Sequence, residues 1–402
     1  METLFYLGVI FVLGALAEWL SPKLHIPRVV GYLILGLIIG PEILGFIPRE
    51  FVDNSYIITD LALSIIAVLV GARLKTSALK GSAKEVIYIT LFQSMVTFTV
   101  VVSGFILIGN LLDLPSGHIV FISLLLGGIA TATAPATPLA IVHELGAKGN
   151  FTSTLLAIVA GDDAIALIMF TLALTIGSSL SVGEVFEWQY LINAFVVVLF
   201  SIILGAVAGV MNTLIEKIFT HHKGMETIST LGLIFILYSL SEHWRLEPLL
   251  SAMVMGIVMV NTSPNFDLVE KEIDGHLMEL IFMLFFIMSA MHLQINALFA
   301  LPFVIELYVV LRFFGKVIGS YIGAVAAGSS TIVKKYMGIA LVPQAGVAIG
   351  LALSIQTLDG VESVAPIILN IVIATTFIHE LIGPFMTKYA IKKSGEYDKS
   401  RL

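Results

Sequence analysis

Cysteine is absent from the 402 residues, which excludes a disulfide framework, thiolate chemistry and any cysteine-based metal site. Charge is scarce as well: Asp, Glu, Lys and Arg make up 12% of the chain, against roughly 25% in a soluble domain. The first segment, Met1–Leu20, has neither the basic start nor the small-residue cleavage site of a signal peptide, and reads as a retained transmembrane helix. Long linkers are missing too. Connections between apolar stretches are short and turn-rich, as at Ser21-Pro22, Pro48-Arg49, Asp113–Gly117, Ser178–Gly183 and Asp359-Gly360. The last dozen residues read as a polar tail, with no regulatory nucleotide-binding domain. What is abundant is apolar side chain, 58% of residues, with a mean hydropathy of +1.02. A water-soluble fold of this length has too little interior to bury that much, so the excess faces lipid.

A bilayer core takes about 20 apolar residues per helix. Thirteen such runs are found, at 2–20, 28–46, 56–74, 84–109, 117–144, 150–177, 189–214, 225–243, 247–262, 275–294, 299–327, 334–356 and 364–390. The chain is therefore expected to be an all-α polytopic membrane protein. All but four of the 21 Lys and Arg lie beside the loops after odd-numbered spans or in the tail; the exceptions are Arg49, Arg245, Arg312 and Lys316. The positive-inside rule then puts the N-terminus outside and the C-terminus in the cytoplasm.

Two stretches resemble one another. Leu33–Gly36 in span 2 matches Met253–Gly256 in span 9, and Leu61–Leu79 in span 3 aligns without gaps to Leu280–Leu298 in span 10. Each pair is seven spans apart, an odd number, so its members cross the membrane in opposite directions. Spans 1–6 and 8–13 would be inverted six-helix repeats joined by span 7, the construction of many secondary transporters. Span 5 holds Pro135 and Pro138 at mid-depth, and its repeat mate, span 12, holds Pro343-Gln344 at a comparable depth. Proline removes a backbone donor and clashes with the preceding turn. A simple kink accounts for one such site; two at equivalent repeat positions predict broken helices that cross, with exposed carbonyls suited to a cation.

Asp162 and Asp163 lie deep in the otherwise apolar span 6. A carboxylate at the centre of a membrane helix costs about 2.5–3.5 kcal/mol even on the lenient insertion scale. Adjacent residues point about 100° apart, so one carboxylate can meet a charged partner while the other faces a cavity. Span 11 offers Arg312 and Lys316 on one face, of which Lys316 reads as the functional charge partner. Arg312 reads as structural, paired with Glu380 of span 13. Glu18, Glu279 and Glu306 lie near span ends and read as solvated. His221-His222 reads as a solvated loop pair, and His379-Glu380 lacks the second histidine of a zinc-protease motif, since Gly383 stands there.

On these residues the chain resembles the monovalent cation:proton antiporter superfamily, in particular its bacterial sodium(potassium)/proton exchanger branch with a paired-aspartate motif. The resemblance spans essentially the whole chain. It is carried by Ile26–Pro41, by Thr131–Pro138 followed by Gly161-Asp162-Asp163, by Phe314–Gly319 and by Glu380–Pro384 leading to Lys388. One departure is Gln344-Ala345-Gly346, where several relatives carry Arg-Gly-Glu, and it bears on ion preference. The resemblance implies a homodimer in a bacterial or archaeal cytoplasmic membrane. Scaffold helices 1–3 and the first core helix would occupy 1–110, core helices 5 and 6 with the ion site 117–177, and a linker helix 185–216. Scaffold helices 8–10 would occupy 225–296, core helices 11–13 299–391, and a cytoplasmic tail 392–402.

The expected activity is exchange of Na⁺, or another monovalent cation, for H⁺ by alternating access, electrogenic as the paired-aspartate members typically are; K⁺/H⁺ exchange is the alternative. Asp163 would bind the cation, with Thr131 and Thr133 completing its oxygen shell, and Asp162 would pair with Lys316. No cofactor is expected, and no nucleic acid among the partners. An intramembrane aspartyl protease would need a second deep Asp on another span, which is lacking. A channel or organic-anion symporter fits adjacent aspartates and opposed broken helices less well.

Overall fold

The computed structural model describes residues 2–72, 74, 82–112, 114–115, 118–181, 188–219, 225–263, 266, 277–292, 301–344, 346–355 and 364–401. Among them every regular element is helical: α1 (Glu2–Lys23), α2 (Arg28–Ile39), a short helix at Arg49–Asp53, α3 (Tyr56–Ala72) and α4 (Ala83–Ile108). Next come α5a (Ile119–Ala130), α5b (Ala136–Leu145), α6 (Asn150–Ser181), α7 (Trp188–Phe219) and α8 (Met225–His243). The chain continues with α9 (Pro248–Thr262), α10 (Met278–Met291), α11 (Pro302–Ala327), α12a (Thr331–Ala340), α12b (Gly346–Ser354) and α13 (Ala365–Ser394). With each split helix counted once and the short Arg49–Asp53 helix set aside, the thirteen helices named among the described residues follow the order of the thirteen apolar runs. Six of them, α1, α4, α6, α7, α11 and α13, are long and apolar enough to cross a membrane by themselves. The outward faces of α1 and α7 expose Leu4, Phe5, Val12, Phe195, Leu199 and Phe200, side chains suited to lipid.

Element ends differ from the apolar runs where backbone chemistry intervenes. α2 stops at Ile39 although the run continues to 46, because Gly40 precedes Pro41 and is held extended (φ −71°, ψ −179°). α6 continues to Ser181, past the expected loop start at Ser178, since no proline interrupts it. α13 accommodates Pro384 and ends at Ser394, where Gly395 supplies a left-handed cap. His221-His222, Asp359-Gly360 and the distal part of the repeat, 75–79 and 293–298, lie outside the described residues.

The chain divides into two compact units. The first comprises Met1–Gly81, Leu139–Glu144 and Val196–His292, hence α1–α3, most of α7, and α8–α10. Within it α2 packs on α10, and α3 on α9. The two contacts are equivalent: Gly36 lies against the Ile287 carbonyl and Gly256 against the Val68 carbonyl, each too close for a Cβ. The repeat relates Gly36 to Gly256 and Val68 to Ile287, so the weak sequence similarity marks one backbone contact made twice.

The second unit comprises Ser82–Pro138, Leu145–Phe195 and Leu293–Leu402, hence α4, α5a, α6 and α11–α13. α4 and α11 pack antiparallel over much of their length, with Gly315 against Thr97, Gly319 against Gln93 and Gly323 against Ile89. Glycine every fourth residue lets two membrane helices approach backbone to backbone. α4 also packs on α5a and α5a on α6, and their repeat mates do likewise, α11 on α12a and α12a on α13. Beyond α13 the chain turns back on α6: the Glu396 carboxylate accepts from the Phe151 and Thr152 amides, both at 2.8 Å. The Lys148 amide donates to the Glu396 carbonyl (3.2 Å) and the Asp398 amide to that of Leu145 (2.9 Å). Glu396 thus caps two of the amides that a helix N-terminus leaves without an internal partner.

Candidate functional site

The breaks come first, because everything at the site is built on them. α5a ends at Ala130, and α5b begins only at Ala136. Pro135 stands just before α5b and Pro138 in its first turn, where a missing amide hydrogen costs nothing. The prolines therefore start a second helix instead of kinking one. In the repeat mate, α12a starts on the Ser330 cap and ends at Ala340, before Pro343. The two breaks meet: the Ala134 amide donates to the Pro343 carbonyl at 3.0 Å.

Ending two helices in mid-bundle leaves carbonyls without partners, and long donors from α11 supply them. Arg312 Nε donates to the Ala130 carbonyl (3.0 Å), and Nη2 to the carbonyls of Ala132 (2.7 Å) and Pro343 (3.4 Å). Its Nη1 donates to the Val342 carbonyl. Gln344 Nε2 donates to the Ile129 carbonyl and to the Tyr308 hydroxyl, both at 3.1 Å. A fixed cation also suits the negative end of a half-helix. The Arg312 guanidinium, expected beside Glu380, is turned to these backbone oxygens, because both broken helices point carbonyls at it. Glu380 is buried on α13.

One turn along α11, Lys316 is fully buried. Its Nζ donates to the Thr131 carbonyl (2.6 Å) and the Thr133 hydroxyl (2.7 Å), and lies 3.3 Å from Asp162 Oδ2. Thr133 in turn donates to the same Asp162 oxygen at 2.5 Å. The other oxygen, Oδ1, accepts from Gln93 Nε2 at 2.6 Å. Asp162 is thus held by α4, α11 and the α5 break together. Asp163, the next residue on α6, is 2% exposed. Thr131 and Thr133, expected as oxygen donors beside Asp163, are engaged here with the ion pair, and the Thr131 hydroxyl donates to the Gly128 carbonyl (2.7 Å).

Gln93 and Tyr308 are site residues that sequence reasoning passed over, although a signal existed for each. Thr90, Gln93-Ser94 and Thr97 form a polar stripe at helical spacing in an apolar span, and Tyr308 precedes Arg312 by four residues. In the first unit, Glu18 and Glu279 are less isolated than their positions near span ends suggest. Arg28 Nη1 lies 2.8 Å from Glu18 and 3.4 Å from Glu279, while the Arg28 amide donates to Glu144 at 3.0 Å.

Repeated helical halves, two discontinuous helices joined at their breaks and a buried ion pair beside them define a polytopic membrane protein built as secondary transporters are built. The chain matches the family model described as sodium/hydrogen exchanger, transmembrane, over residues 8–390, and it belongs to that family. It is 27% identical over 408 aligned residues to the Na(+)/H(+)-K(+) antiporter GerN of Bacillus cereus, covering 99% of this chain and 98% of the relative. It is 33% identical to Na(+)/H(+) antiporter 1 of Methanocaldococcus jannaschii over 159 residues, 39% of this chain and 35% of the relative. Two solved structures of the sodium proton antiporter MjNhaP1 from the same archaeon share the fold. One, determined at pH 8, has a TM-score of 0.70 at 22% identity, covering 98% of this chain and 96% of that one. The other, from electron microscopy, has a TM-score of 0.76 at 21% identity over 99% of both chains.

Proposed function

We propose that this protein exchanges Na⁺, or another monovalent cation, for protons across a prokaryotic cytoplasmic membrane. The observation that carries this reading is the Lys316–Asp162 pair, buried where the broken helices meet and hydrogen-bonded to both oxygens that a cation would want from the α5 break. Hard alkali cations take oxygen ligands, and Asp163, next to Asp162 on α6, is a buried carboxylate suited to one. Arrival of the cation at Asp163 draws on the Thr131 carbonyl and the Thr133 hydroxyl, which Lys316 must release. Binding of the cation and opening of the ion pair are then one event, and protons leave as the cation enters. Alternating access follows if α4, α5a, α6 and α11–α13 move as a body, with the protein a homodimer oriented N-terminus outside. Potassium as the second cation is the variant reading, favoured by the Na(+)/H(+)-K(+) name of the Bacillus relative.

The test is proton flux in proteoliposomes on addition of Na⁺, K⁺ or Li⁺. The unmodified protein is expected to dissipate a pH gradient on addition of at least one of them, and Asp163→Asn to abolish that response while inserting normally. Unchanged flux in Asp163→Asn would remove Asp163 from the site.

A further inference from the structure

Gln93 has no part in the exchange scheme as stated, yet its placement is among the most constrained at the site. It is fully buried on α4, and α11 is pressed against its backbone at Gly319 with no room for a Cβ. Both hydrogens of its Nε2 are used: one on Asp162 Oδ1 at 2.6 Å, the other on Ser94 Oγ at 2.8 Å. An ionised carboxylate only accepts, so the amide must present its nitrogen to Asp162. The two acceptors then fix the amide plane. Thr133 and Lys316 engage Oδ2, and Oδ1 is the oxygen that Gln93 orients.

We propose that Gln93 is a positioning residue that sets cation affinity, by holding Asp162 Oδ1 out of the coordination shell of a cation bound at Asp163. The proposal rests on the exchange reading. Without the amide, Oδ1 can turn to the cation as an extra anionic ligand. Binding tightens, release slows, and the affinity and the maximal rate fall out of step with the parent values. A purely structural role would lower stability and yield and leave the affinity of the surviving protein alone.

Gln93→Met keeps length and volume and removes both donors; Ser94→Ala leaves Gln93 but frees one side of its amide. Two readouts apply to each. The rise in melting temperature of purified protein with added Na⁺ gives a binding midpoint without transport, and proteoliposome flux gives KM and maximal rate. For Gln93→Met the midpoint and KM are expected to fall about threefold or more and the maximal rate about tenfold, with Ser94→Ala shifting the same way by less. A midpoint and KM equal to the parent's, or higher, overturn the proposal. Should Gln93→Met not fold, Ser94→Ala decides by the same criterion. Parent protein that neither exchanges nor is stabilised by any alkali cation would sink the exchange reading and this proposal with it. Parent activity with unmoved variants sinks only the role of Gln93.

Discussion

Lys316 carries three N–H donors, and it meets three acceptors: the Thr131 carbonyl, the Thr133 hydroxyl and Asp162 Oδ2. A glutamine there keeps some hydrogen bonding but leaves Asp162 as a buried charge without its cation. Removing one partner of a buried ion pair costs roughly 3–5 kcal/mol. Lys316→Gln is therefore expected to melt several degrees lower in detergent and to lose most exchange. Lys316→Arg, which keeps the charge, is expected to retain exchange with an altered pH profile. Differential scanning fluorimetry with proteoliposome flux on the same preparations checks both outcomes; Lys316→Gln with parental stability and flux would show that the pair contributes to neither.

Helix by helix, much was legible before any coordinates. The thirteen apolar runs, both proline breaks and the deep charges of α6 and α11 all stand out, because a membrane penalises polar groups enough to make each one visible. Less legible was what Arg312 does. A guanidinium in an apolar span invites a search for a carboxylate, and Glu380 lay on a neighbouring core helix. The guanidinium also finds main-chain carbonyls, which are open only because two helices stop, and no residue letter announces them. The α4–α11 contact was hidden for a similar reason, since glycine reports an approach without naming the partner. Two tests belong at this scale. Gly319→Leu forces a side chain into the Gln93 backbone, and overpacking of about 1–3 kcal/mol or more is expected, seen as a lower melting temperature and poor yield. Truncation after Ser394 strips the Glu396 cap from α6 and is expected to cost about 1–2 kcal/mol of stability. Glu396→Ala should reproduce most of that loss, and Glu396→Gln, which keeps one of the two acceptor oxygens, roughly half of it.

For the molecule as a whole, the open quantity is charge. If Asp163 releases one proton and the Asp162–Lys316 pair another, each cycle moves two protons against one Na⁺ and carries current. Purified protein reconstituted on a solid-supported membrane under a Na⁺ gradient is expected to give a transient current, and Asp163→Asn none. Proton exchange without charge movement would refute two-for-one coupling and leave exchange intact. The pair also has a history. Asp162 and Lys316 are 154 residues apart in the chain. Translation at about 5–20 residues per second separates their synthesis by roughly 8–30 s. Through that interval α6 has its acidic centre without its lysine, while the α4 face that will receive Gly315, Gly319 and Gly323 is uncovered. The first half of the protein is thus born unfinished, with a buried acid whose partner has not yet been made.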